Sequence, residues 1–294
     1  MSITKYQIFL KTAACGSFSK AAEAMNFTQT GISHAINSLE GELGVALLSR
    51  NGGGVVLTAD GRALLPQIEK LCAAHHTMMQ TVESLKGMDS GLVKVATFSS
   101  VSFLWLPRIL KSFGQIYPNI EFEVITGDYY EQIESWIVSG AVDCGFFRLP
   151  STKHLQTYPL YRDELQVVVP CDHVYAQEDP FPASELAEEP FILLEEGEDY
   201  EIMAAFDKLG IRPHVKYTAR EDRTILAMVS EGLGISLLPR LMVSHSPLPV
   251  QVCRAPLQFD RTIGIGVKDE KALSKSTRLF VDYVRTWVAE NGDK

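Results

Sequence analysis

The chain has 294 residues, 46% of them hydrophobic, enough for more than one domain with its own core. A net charge of −9 argues against indiscriminate nucleic-acid binding, and no long apolar run is present, so no membrane span and no membrane partner is expected. The first residues lack a charged segment followed by an apolar run, so no export signal is read and a cytoplasmic location is expected.

Thr4-Lys5-Tyr6-Gln7 is a capping-box pattern, with Ile3 and Ile8 placed for a hydrophobic staple, and opens a first helix that Gly16 ends. Cys15, Cys72, Cys144, Cys171 and Cys253 form no C-x-x-C pair, so reduced, mostly buried thiols are expected. Two short helices come next. Ser19 can cap one, which runs through Ala21, Ala22 and Ala24; Asn26-Phe27 interrupts, and Thr28 can cap the other. In the latter, Ile32, Ile36, Leu39 and Leu43 recur at helical spacing and mark a buried face. The opposite face carries Gln29, Thr30, Ser33, His34 and Asn37, which can hydrogen-bond a base edge or a phosphate oxygen. The bland reading is an amphipathic pair with a polar outer face. The sharper one is a helix-turn-helix, whose second helix enters the major groove by its N-terminal residues. Beyond Gly44, apolar runs on either side of Gly52-Gly53-Gly54 read as a hairpin, which gives the winged form. No Lys-Ser/Thr follows these glycines, so they are not a P-loop.

The flanking residues favour the sharper reading. Ser17-Phe18-Ser19-x-Ala21-Ala22, Gln29-x-x-Ile32-Ser33-x-x-Ile36-x-x-Leu39-Glu40-x-x-Leu43-Gly44 and Leu57-Thr58-x-x-Gly61 together resemble the N-terminal signature of LysR-type transcriptional regulators. The resemblance implies a winged helix-turn-helix domain over 1–58, its helix-turn-helix at about 18–37. There Gln29, Thr30, Ser33, His34 and Asn37 would meet a double-stranded DNA operator, with Ser17, Thr28 and Arg50 on phosphates, which fix register without reading sequence. The wing departs from the family pattern, since relatives carry more basic residues there and this chain has only Arg50. Residues 1–90 hold seven basic and seven acidic residues, so the remainder carries all of the −9. A neutral DNA-binding part grips phosphates weakly as one copy, so two or more copies on one duplex are expected.

From Ala59 to about Lys86 the pattern is one long helix. Leu64, Ile68, Leu71, His75, Met78, Val82 and Leu85 alternate spacings of four and three, an a/d seam. The seam could pack on its own domain, but its polar flanks and the lack of a nearby apolar segment to cover it favour a dimer. The family's linker helix, which pairs two chains, occupies the same place (59–88). By resemblance a homodimer is expected, assembling further into a homotetramer. Adjacent His75 and His76 face different directions, so no metal site is read there.

Gly87-Met88-Asp89-Ser90-Gly91 is a breaker cluster and the natural hinge. Strands at 92–98, 120–125 and 142–147 alternate with helices at 101–116 and 129–138, a βαβαβ pattern that implies a mostly parallel sheet covered by helices. A second set has strands at 166–169, 191–194, 215–218, 235–238, 250–254 and 261–267, with helices at 198–209, 223–232 and 274–289. The fold class is multidomain α/β. The C-terminal part (91–294) resembles the two-lobed, periplasmic-binding-protein-like effector domain of the same family. Lobe I would be 91–162 with 268–294, and lobe II 163–267. The segment from Glu221-Asp222-Arg223 to Leu238-Pro239 is also typical of that domain.

Ligands of open α/β sheets bind beyond the carboxyl ends of the strands. That rule selects Ser99, Ser100, Gly127, Phe147, Arg148 and Glu195 as candidate effector-binding residues. Ser99 and Ser100 could equally be a helix cap. Arg148 could meet a ligand carboxylate or pair with Glu195 or Glu196 across the cleft.

These features imply a sequence-specific transcriptional regulator switched by a small-molecule effector, with RNA polymerase a further partner if it activates. No cofactor is expected. An enzyme is disfavoured because G-x-S-x-G, H-E-x-x-H and a dinucleotide-binding glycine loop are lacking. A solute-binding protein would need export and would leave the first ninety residues without a role.

Overall fold

The computed structural model describes residues 2–51, 54–85, 90–195, 201–244 and 246–292. Two compact units result, Met1–Met88 with Val138–Val142, and Asp89–Ile137 with Asp143–Lys294.

The first unit is a winged helical domain. Helices α1 (Ile3–Cys15), α2 (Phe18–Met25) and α3 (Gln29–Leu43) are followed by a hairpin of β1 (Leu48–Asn51) and β2 (Gly54–Leu57), then by α4 (Ala59–Leu85). Local chemistry sets the helix ends. Gly16, Asn26 and Gly44 close α1, α2 and α3 in the left-handed conformation, and Thr28 Oγ1 accepts a hydrogen bond from Gly31 N at 3.0 Å. Two expected caps differ. Helix α2 begins at Phe18, whose ring is buried, so Ser17 rather than Ser19 is its cap. Helix α1 begins at Ile3 behind Ser2, so Thr4 lies inside the helix and opens no capping box. Phe9, Ile32, Ile36, Leu39 and Leu47 form the centre of this core, each at most 1% exposed.

Helix α4 has 27 residues, about 40 Å at ~1.5 Å per residue, and passes Pro66 without ending. Its seam divides. Ile68 is buried in the winged domain's own core, and Leu64, half-buried, packs against that core. Leu71 and Met78 are exposed, and His75 and Val82 are half-buried; the Leu85 side chain lies outside the described residues. The expected hinge at 87–89 and the turn at Gly52-Gly53 also lie outside them.

The second unit is α/β. Strands β3 (Gly91–Thr97), β4 (Ile120–Thr126) and β5 (Cys144–Leu149) are parallel, in the order β4-β3-β5. Helices α5 (Ser99–Leu104), α6 (Leu106–Ile116) and α7 (Tyr130–Ser139) connect them. The single helix expected over 101–116 is broken at Trp105, because Pro107 in the first turn of α6 has no N–H to continue the ladder. Strand β6 (Gln156–Pro170) is far longer than the expected 166–169, since its first half is polar and interrupted by Pro159, which hides it from pattern reading.

The remaining elements are α8 (Glu185–Glu188), β7 (Pro190–Leu194), α9 (Glu201–Leu209), β8 (His214–Ala219), α10 (Asp222–Ser230), β9 (Ser236–Pro239), α11 (Arg240–Val243), β10 (Val250–Arg254), β11 (Asp260–Val267) and α12 (Lys275–Asn291). The first half of β6 pairs with β11, which in turn pairs with β5; the second half pairs with β9 and β10. Strand β11 therefore belongs to lobe I, not to lobe II as its sequence position implied. The chain crosses between lobes at Asp163–Leu165 and at Phe259–Arg261, where Leu165 N donates to Phe259 O at 2.8 Å. Lobe II has its own core around Val167, Phe191, Phe206, Ile225 and Leu238.

Candidate functional site

The winged domain presents one polar surface. Gln29, Thr30, His34 and Asn37 are exposed on α3, Ser33 is half-buried beside them, and Thr28 stands at the helix start. The hydrophobic face of α3 is locked by Ile32, Ile36 and Leu39, which aims the polar face outward. Arg50 of the wing belongs to the same surface. Its guanidinium lies 4.7 Å from the Phe18 ring centroid and donates to Ser33 Oγ at 3.3 Å. Ser17 Oγ accepts from Lys20 N at 3.4 Å as the cap of α2. Of the eight residues selected from sequence, Gln29, Thr30, Ser33, His34 and Asn37 share one side of α3, Thr28 caps that helix, Arg50 reaches Ser33 from the wing, and Ser17 caps α2.

Sequence reasoning missed what fixes the wing to α3. Glu40 Oε1 accepts from Leu47 N at 2.6 Å and Leu48 N at 3.0 Å. Thr58 Oγ1 donates to Ala46 O at 2.6 Å and accepts from Gly61 N at 2.9 Å. Gly61 is pressed onto the backbone, where an added Cβ would lie 2.1 Å from Leu47 O. The Leu57-Thr58-x-x-Gly61 signature is a packing junction between wing and α4.

In the α/β unit a cavity of about 310 Å³ opens between the lobes. Its walls come from the ends of β3 and β4 (Phe98, Ser99, Thr126, Gly127), the start of α7 (Asp128, Tyr129, Tyr130), α5 (Ser102, Phe103) and the start of α10 (Arg220, Glu221, Asp222, Arg223), with Met242 of α11. Ser99 and Gly127 line it as expected. The other four expected residues do not. Ser100 is buried and its Oγ accepts from Arg261 Nη2 at 3.0 Å. Phe147 is fully buried in lobe I, where the absent Cβ of Gly266 makes room for its ring. Arg148 lies 5.9 Å from the Tyr130 ring centroid, outside the cavity walls. Glu195 pairs with Arg220 at 3.3 Å within its own lobe, so it is not a latch to Arg148; Glu196 lies outside the described residues. Applying the strand-end rule also to β8 would have found Arg220 to Arg223, which follow it directly.

Two hydrogen-bonded sets bind the lobes together. Ser99 Oγ of lobe I donates to Asp222 Oδ2 of lobe II at 2.7 Å. Arg261 donates to Asp163 Oδ2, to Tyr130 Oη at 2.7 Å and to Ser100 Oγ, while Asp163 Oδ1 accepts from Leu241 N at 2.9 Å. At the mouth, the Arg223 guanidinium lies 3.3 Å from the Phe103 ring centroid. Burial pushes the Asp222 carboxyl above its ordinary range; the Ser99 hydrogen bond and the Arg261 charge pull it back only in part. A carboxyl raised in the folded state contributes stability that is full below its unfolded value and is lost as pH rises through the raised value. Asp222→Asn is therefore expected to raise the unfolding temperature of ligand-free protein at neutral pH, and the gain should shrink as pH falls. Thermal denaturation across a pH series measures this, and a gain independent of pH would contradict it.

A winged helix-turn-helix joined to a two-lobed ligand-binding fold defines a DNA-binding transcriptional regulator with an effector-binding domain. Residues 3–62 match the family model for the bacterial regulatory helix-turn-helix protein of the lysR family, and 86–289 match the LysR substrate binding domain. The chain belongs to the LysR family of transcriptional regulators, and it is not an enzyme. It is 31% identical to the HTH-type transcriptional regulator YvbU of Bacillus subtilis strain 168, over 97% of this chain and 98% of that one. It is also 31% identical to the probable regulator LrrA of Synechococcus elongatus, over 99% of this chain and 98% of the relative. The fold matches full-length CbnR in complex with its target DNA, with TM-score 0.71 and 21% identity over 97% of this chain and 99% of CbnR. The effector-binding domain of QuiR in complex with shikimate matches with TM-score 0.62 and 20% identity, over 69% of this chain and 99% of that one.

Proposed function

We propose that this regulator reads its operator through Gln29, Thr30, Ser33, His34 and Asn37, with Ser17, Thr28 and Arg50 on flanking phosphates. The observation that carries this reading is the exposed polar face of α3, which Arg50 joins through Ser33. Two copies pair through the exposed part of α4, from Leu71 onward, which sets two half-site readers at a fixed spacing. Pairs of such dimers form the working tetramer. The effector occupies the cavity between the lobes and shifts the balance of lobe or subunit arrangements, which moves the DNA-binding ends relative to one another. A metabolite, not a metal or prosthetic group, throws the switch. The protein acts in the cytoplasm, on DNA alone as a repressor or with RNA polymerase as an activator.

Alanine at Gln29 or at His34 tests the reading. Both positions are exposed, so folding should be unchanged by circular dichroism, while each lost base contact weakens operator binding by about 1–3 kcal/mol. Footprints and affinities identical to those of the unaltered protein would contradict the assignment.

A further inference from the structure

We propose that the cavity between the lobes takes a small molecule carrying a protonated amine, which the Asp222 carboxylate holds. The inference rests on the cavity being the effector site.

Asp222 lines the cavity and is 4% exposed. Its carboxylate receives a hydrogen bond from the neutral Ser99 hydroxyl at 2.7 Å. A carboxylate offers about four lone-pair sites, so this contact leaves acceptor capacity facing the cavity. The neighbouring Arg261 acts on Asp222 by its charge, while the hydrogen bonds described for it go to Asp163, Tyr130 and Ser100. The two lining cations are otherwise engaged, Arg220 with Glu195 and Arg223 on the Phe103 ring. Asp128 and Glu221 add two further acids to the walls. A buried carboxylate without a hydrogen-bonded cation is costly, and an ammonium group would supply the charge-assisted partner. Burial raises the Asp222 carboxyl, as expected of such a site before its cation arrives. Phe98, Phe103, Tyr130 and Met242 offer an apolar wall for the rest of the molecule. The volume, about 310 Å³, has room for a free amino acid or a simple amine.

The test compares matched probes on the full-length protein. Phenylalanine, leucine and methionine are each titrated beside the carboxylic acid lacking the amine and the amine lacking the carboxylate, by calorimetry and thermal shift. Amine-bearing probes are expected to bind and raise the unfolding midpoint, and their des-amino partners are not. Binding by the amines alone, by the amino acids alone or by both distinguishes the two sources of the ammonium group. Asp222→Asn keeps an acceptor for Ser99 and should weaken amine binding about ten- to a hundredfold. Des-amino acids that bind as tightly, or no amine-bearing probe binding at millimolar concentration, would overturn the proposal, and this comparison needs no variant to fold. A des-amino acid that binds and alters operator affinity would remove the amine and leave the cavity's effector role standing. A bound amine that leaves operator affinity unchanged would support the amine and count against that role.

Discussion

Replacing Arg261 with methionine is expected to destabilise the effector-binding domain by about 3–5 kcal/mol. The Arg261 side chain is 2% exposed and that of Asp163 is fully buried. Arg261 approaches Asp163 Oδ2 with Nε at 3.1 Å and Nη2 at 2.9 Å. Both residues stand where β6 and β11 pass between the lobes, so the pair fixes the crossing itself. Methionine fills most of the arginine volume but leaves the Asp163 carboxylate buried with the Leu241 N–H as its donor, and it removes the common partner of Ser100 and Tyr130. The cost arises from that stranded charge more than from lost packing. Replacing Asp163 and Arg261 together by apolar residues of similar volume should recover much of the loss, because desolvation of both charges is then avoided. Urea denaturation of the three variants measures this. A midpoint for Arg261→Met no lower than that of Arg285→Met, at an exposed pair on α12, would refute it.

Gly61→Val is expected to have the second-largest effect, on the other unit. The added Cβ would meet Leu47 O at 2.1 Å and Leu47 C at 3.0 Å, and both are backbone atoms that no rotamer change can move. Overpacking of this kind costs about 1–3 kcal/mol. The position lies within α4, so the conflict is one of space and not of backbone conformation. Relief requires either the start of α4 or the segment before the wing to shift. That segment is also held by Glu40 and Thr58, so a shift would tilt Arg50 away from Ser33. Lower operator affinity together with lower thermal stability is the expected pair of results. Operator affinity equal to that of the unaltered protein would show that the junction does not set the wing.

Local signals made the winged domain legible. The spacing of Ile32, Ile36 and Leu39, the Thr28 cap and the glycine at 44 each act within one or two turns of helix. The polar face of α3 followed from the same periodicity, so its exposed residues were found together. Long-range pairings were not legible. The first half of β6 is a strand because β11 lies against it, although Pro159 and its polar neighbours suggest a loop. Strand β11 reads as a terminal strand of lobe II by chain order, yet its pairing with β5 places it in lobe I. At the cavity, the strand-end rule picked out Ser99 and Gly127, which line its walls, because that rule is geometric. It could not show that Ser100 turns inward to Arg261, or that Ser99 meets Asp222 of the far lobe, since those contacts join residues more than a hundred positions apart.

The central claim, that the exposed face of α3 selects particular base pairs, is tested most directly by sequence selection. Purified protein is offered sheared genomic DNA of its source beside random duplex at physiological salt, and bound fragments are sequenced and their affinities measured. The account predicts a small set of fragments sharing one sequence, bound at least about a thousandfold more tightly than random duplex. Equal affinity for genomic and random fragments would contradict it.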